Sequence, residues 1–203
     1  MNILALELSS GWGSIAWMEN KKEIFAAEFA NDRKHSGLFF ENLERALAHG
    51  RPPERIVVGL GPGSYAGTRI AIATATGLQA ATGAELIGLP SLCAMPTEDA
   101  DYAVLGDARR QSFFFARVLR RRCVEGPLLF TADELSERLE NVRVPIFSAE
   151  PLPAFPSVLL NHPVARILGT ITAEEWPAST NVPLEPMYLR EAHITQPKAA
   201  IAR

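Results

Sequence analysis

Cysteine is almost absent from this 203-residue chain: Cys93 and Cys123 are the two it has, and they form no CxxC pair. A disulfide framework is therefore not indicated, and a reducing, cytoplasmic setting is expected. Histidine is also scarce. His35, His49, His162 and His193 include no i, i+4 pair, the spacing that sets two metal ligands on one helical face. No apolar run approaches the roughly 20 residues needed to span a bilayer. The opening, MNILALELSSGWG, lacks a basic stretch before its apolar residues, and Glu7 interrupts the run, so no secretory leader is expected. Nor is there an excess of positive charge. The net charge is −3, which gives no global pull toward nucleic acid, so any RNA contact must be local or made through a partner.

What is present is enough apolar sequence for a core without covalent help: 47% of residues are hydrophobic. Apolar runs at 3–8, 14–18 and 23–29 read as strands, the first two joined by a Ser-Ser-Gly turn. Residues 35–49 read as a helix with Phe39, Leu43, Ala46 and Leu47 in one stripe. A buried strand follows at 55–60. Next come a helix over 65–82, capped by Gly83, and a strand at 85–89. The order β-β-β-α-β-α-β predicts a mixed sheet with helices packed on it. A polar, acidic stretch at 97–101 marks the boundary between a first lobe, residues 1–100, and a second, residues 101–203. In the second, strands are expected at 103–105, 112–119 and 144–147. Thr131 with Glu134 makes a capping box that opens a helix carrying Leu135 and Leu139. Prolines 151, 153, 156 and 163 are expected to break regular structure, and the tail from Pro183 has few periodic features.

Several segments could carry chemistry. The Gly61-Pro62-Gly63-Ser64-Tyr65-Ala66-Gly67-Thr68 loop is neither a P-loop, having no Lys after its last Gly, nor the G-x-G-x-x-G dinucleotide fingerprint. A Gly-rich turn entering a helix can still hold an anion on its free N–H groups. It can equally be a tight turn and nothing more. The acid of the hairpin Glu7-Leu8-Ser9-Ser10 stands where kinase- and actin-type folds hold phosphate and metal, or it is a strand end. A nucleotide cradle of that kind needs a second glycine hairpin, yet after position 100 only Gly106, Gly126 and Gly169 remain, none adjacent to another. The cleft is expected to be half built. Cys93, among Leu92, Ala94 and Met95, reads as an inert buried thiol, and there is no GxSxG elbow. The arginines from Arg109 to Arg122 bracket Phe113, Phe114 and Phe115. That pattern can stack bases, or it is a strand with its rings in the core. The helix over 65–82 carries Ala73, Gly77 and Ala81 four apart, a smooth ridge that another backbone can approach. Gly77 costs it roughly 1 kcal/mol relative to Ala.

Three segments together resemble one family. Gly61 to Arg69 is similar to the GPGSFTGLR signature of the TsaB (YeaZ) family. Ile3-Leu4-Ala5-Leu6-Glu7 resembles its opening strand, with Glu7 in place of the usual Asp, and Pro186-Met187-Tyr188-Leu189-Arg190 its closing P-x-YLR. Lys34-His35-Ser36 and Asp107-Ala108-Arg109 are weaker matches. The resemblance implies a two-lobed, actin-like α/β fold. It implies a non-catalytic subunit of the bacterial complex that forms threonylcarbamoyladenosine on tRNA. Such a subunit pairs with the catalytic TsaD, works in a wider complex with the ATPase TsaE, and meets tRNA only through the complex. TsaD carries a two-His metal site on its first helix; here His35 has Phe39 in the second place, so neither metal nor cofactor is implied. By the resemblance, His35, Phe39, Leu43, Tyr65, Arg69, Ala73 and Gly77 form the partner interface. Glu7, Ser9, Ser10, Gly61 and Gly63 remain as a vestigial nucleotide cleft, and the chain alone forms a homodimer. Two other readings stay open: an active actin-like ATPase or phosphotransferase using Glu7 and the Gly loop, and a glycoprotease-type metallopeptidase.

Overall fold

The computed structural model describes residues 1–31, 37–49, 51–173 and 184–190. Two five-stranded mixed sheets form the frame. The first contains β1 (Asn2–Glu7), β2 (Trp12–Glu19), β3 (Lys22–Ala30), β4 (Arg55–Gly59) and β5 (Glu85–Leu89), in spatial order β3-β2-β1-β4-β5. The hairpins β1–β2 and β2–β3 are antiparallel, whereas β4 is parallel to β1 and β5 to β4. The near-continuous apolar strings of β1 and β4 belong to strands covered on both faces. Leu4 and Leu6 point to one side, where α1 (Gly37–Leu47) and α2 (Tyr65–Thr82) lie. Ile3 and Ala5 point to the other.

The second sheet runs β10 (Leu159–Leu160), β9 (Ile146–Ser148), β6 (Asp101–Asp107), β7 (Phe113–Leu119) and β8 (Arg122–Phe130), with α3 (Ala132–Leu139) over one face. The capping box at Thr131 forms as expected, with the Thr131 side chain and Glu134 each bonding the other's backbone.

One sequence expectation needs correction, and two further features are placed by the fold. Phe39 and Leu43 do not face outward: they are buried in the chain's own core beside Phe29 and Trp17. The stripe has helical period, but its own sheet covers it, and the exposed ring on α1 is Phe40. The phenylalanine run is not a stacking platform. Alternation sends Phe113 and Phe115 to the α3 side and Phe114 to the other, and both sides of the sheet are covered. Among the flanking arginines, Arg117 is held by Asp101 at 2.9 and 2.7 Å, and Arg121 donates to the Thr97 carbonyl at 2.7 Å. The prolines break regular structure as expected: apart from the short β10, residues 149–164 form neither helix nor strand. That stretch leads into α4 (Ala165–Ala173), which packs on the first sheet through Ala165, Leu168 and Ala173. Arg55 caps this helix by donating to Thr172 O at 2.5 Å, and Ser14 Oγ accepts from the Ala165 amide at 2.8 Å. The first lobe is thus completed by a helix from the second half of the chain.

Candidate functional site

Between the sheets lies a cleft of about 570 Å³. Its first-lobe wall carries Ser9, Ser10, Pro62, Gly63, Ser64 and Thr68. Its second-lobe wall carries Gly106, Asp107, Arg109, Ser148 and Glu150.

The Gly loop does not sit open over this cleft waiting for an anion. Its glycines let the loop press on the β1–β2 turn. A Cβ at Gly63 (φ +156°) would overlap the Ser9 carbonyl, and one at Gly67 the Leu8 carbonyl. The Ser64 amide donates to Ser9 O at 2.6 Å, closing the contact. Ser64 also caps α2, its Oγ accepting from the Gly67 amide at 3.2 Å. Gly61, buried, donates through its amide to Ser91 Oγ at 2.9 Å. The tight-turn reading of the loop is the one this geometry supports.

Glu7 is fully buried, its carboxylate against the Gly59 backbone, and it does not line the cleft. Oε1 accepts from the Ser9 amide at 2.7 Å, and Oε2 has no hydrogen-bond partner. Burial pushes its pKa up, and the Ser9 bonds pull back only in part. A carboxyl sealed away from the cleft is poorly suited to holding a metal–phosphate pair. The opposite wall is no better suited. The space a Cβ at Gly106 would need is filled by the Phe114 ring. Asp107 and Glu150 place carboxylates there; Arg109 pairs with Asp107 at 2.8 Å. Among the described residues no three His, Cys, Asp or Glu side chains come together as a metal site. His35 lies outside those residues. Burial raises the pKa of Cys93 to about 12, which makes it a poor nucleophile.

The second feature is the outer face of α2. Tyr65, Arg69, Ala73, Gly77 and Ala81 are all exposed. Nothing lies within 4 Å of a Cβ built on Gly77. Ile70 and Phe40, not singled out from the sequence, add exposed apolar surface at 40% and 55%. Ile70 could have been found by its helical spacing from Ala73 and Gly77; Phe40 could not, because the stripe on its own helix drew the eye to Phe39. Also missed was Tyr188, which the closing segment lays on this helix. Its ring stands 5.5 Å from Tyr65, and its hydroxyl accepts from Arg69 Nε at 3.0 Å. No helix among the described residues is long and apolar enough to cross a membrane.

Residues 30–126 match the protein family described as "TsaD: tRNA N6-adenosine threonylcarbamoyltransferase". Uncharacterised proteins of Mycobacterium tuberculosis and Mycobacterium bovis are each 32% identical over 165 residues, spanning 78% of this chain and 76% of theirs. Among solved structures, YeaZ from Pseudomonas aeruginosa matches with a TM-score of 0.72 and 20% identity over 93% of this chain and 99% of that one. Another Pseudomonas aeruginosa structure, of a protein with similarity to peptidase YeaZ, matches with a TM-score of 0.71 and 21% identity over the same shares. The two mixed sheets with flanking helices are the actin-like α/β arrangement. With its Gly61–Arg69 loop and Tyr188-Leu189-Arg190 tail in place on that frame, the chain belongs to the TsaB (YeaZ) family.

Proposed function

We propose that this chain is a non-catalytic pairing subunit of the complex that forms threonylcarbamoyladenosine on tRNA, and that it docks on the TsaD-type catalytic subunit through the outer face of α2. One observation carries the reading. Ala73, Gly77 and Ala81 form an exposed ridge, and nothing among the described residues lies within 4 Å of a Cβ built on Gly77. A glycine in the fourth turn of an 18-residue helix costs stability, and close approach of a second helix offsets that cost. The ATPase alternative is disfavoured by the burial of Glu7 away from the cleft and by the blocked Gly106 position. The metallopeptidase alternative is disfavoured by the lack of a ligand cluster among the described residues.

An exposed apolar ridge with Ile70 beside it is costly to leave in water. Alone, the chain buries it against a second copy in a symmetric dimer. Sedimentation of the chain with increasing amounts of the TsaD-type subunit tests this. The homodimer should disappear as a one-to-one heterodimer forms, because both compete for one face. A larger species in which the homodimer persists with the partner attached would place the two contacts on different surfaces. A chain that sediments as a monomer and ignores the partner would end the proposal.

A further inference from the structure

Helix α2, YAGTRIAIATATGLQAAT, contains one charged residue, Arg69. It stands near the N-terminal end, where the helix dipole disfavours a cation, so helix stability does not explain it. Its guanidinium carbon lies 4.1 Å from the centre of the Tyr65 ring and 5.9 Å from that of Tyr188. Nε is spent on the Tyr188 hydroxyl. Among the described residues no carboxylate pairs with Arg69, and neither Nη atom makes a hydrogen bond. Both rings are half-exposed, at 56% and 49%.

The tail supplies Tyr188, and it is firmly placed. The Met187 amide donates to Leu60 O at 2.8 Å. Leu184 packs against the first-sheet core, and Leu189 against a core cluster of the second. A guanidinium stacked over the Tyr65 ring and tied to the Tyr188 hydroxyl has lost much of its rotamer freedom before binding. Its two Nη groups form a fork suited to a planar, two-oxygen anion.

Resting on the pairing reading above, we propose that Arg69 is a carboxylate receptor built into the pairing face. Its occupant is an aspartate or glutamate side chain that the TsaD-type subunit presents opposite the first turns of α2. Tyr188 acts as a positioning residue, so the C-terminal segment is part of the interface. The apolar ridge supplies contact area; the single ion pair sets the register of the two helices.

The test is calorimetric affinity for the TsaD-type subunit at low and high salt. Arg69→Glu should weaken pairing about a hundredfold, with the fold intact, since an acid near a helix N-terminus is favoured. Arg69→Lys, which keeps charge but loses the fork, should weaken it about tenfold, and Tyr188→Ala similarly. Reversing the charge of one acidic partner residue should restore binding to Arg69→Glu. Pairing of Arg69→Glu at wild-type affinity overturns the receptor. If Gly77→Leu also pairs normally, the α2 interface falls with it; if Gly77→Leu fails to pair, the receptor alone is wrong. Normal pairing by Arg69→Glu together with weaker tRNA retention by the complex would assign the fork to a phosphate and equally overturn the proposal.

Discussion

Gly77→Leu should leave the isolated chain folded and slightly more stable, and should lower its affinity for the TsaD-type subunit tenfold or more. The two effects have separate causes. A Cβ at 77 meets nothing within 4 Å, so the substitution disturbs no packing inside the chain. Replacing a helix-interior glycine with a good helix former gains roughly 0.8 kcal/mol. The partner helix, by contrast, can approach closely only while position 77 carries no side chain. Overpacking of a close contact costs about 1–3 kcal/mol, and every 1.4 kcal/mol is tenfold in affinity. The readout is a melting temperature and a titration on the same preparation. A folded Gly77→Leu chain that binds as tightly as wild type would move the interface off this ridge.

Ten residues earlier on the same helix, Gly67→Ala should do the reverse. Gly67 is buried, and its missing Cβ is the gap into which the Leu8 carbonyl fits. That carbonyl cannot swing aside, because it accepts from Asn31 Nδ2 at 2.9 Å; the same amide also holds Ser10 O at 2.8 Å. One methyl group therefore drives the first turn of α2 off the β1–β2 hairpin. We expect a loss of about 3 kcal/mol, at the upper end for overpacking. For a chain of this size that lowers Tm by roughly 6–12 °C. A melting curve that does not move would mean the loop is loosely packed on the hairpin. The case that its glycines serve packing rather than phosphate would then fail.

The contrast between these two glycines shows where sequence reading succeeds and stops. The bounds of α2 follow from local chemistry: Gly83 takes the left-handed C-cap conformation at φ 73°. The apolar strings of β1 and β4 announce strands buried on both faces. On α1 the period was legible but the address was not. Spacing says that Phe39 and Leu43 share a face, and only the fold says that β2 and β3 cover it. Two elements lacked a local signal. In α4, ARILGTITA, β-branched residues and a central Gly169 give weak helix propensity, and packing on Met18 and Ala5 supplies what propensity does not. β8 was not among the expected strands; it contains Gly126 and Pro127, and an edge strand tolerates a proline that cannot donate. At the site, the shortage of glycine after position 100 was legible in the sequence. The fate of Glu7 was not, because burial is a property of the fold. Tyr188 was legible only as a matching residue; its place on Arg69 is a contact across 119 positions.

The central claim is that this chain contributes a surface and no chemistry. Its most direct test is threonylcarbamoyladenosine formed on tRNA by the reconstituted complex. The account predicts that product requires this chain, is preserved when Glu7→Ala replaces the wild type at matched folded concentration, and is lost with Gly77→Leu in proportion to lost pairing. Full activity without this chain, or activity abolished by Glu7→Ala in a folded, paired complex, would contradict it.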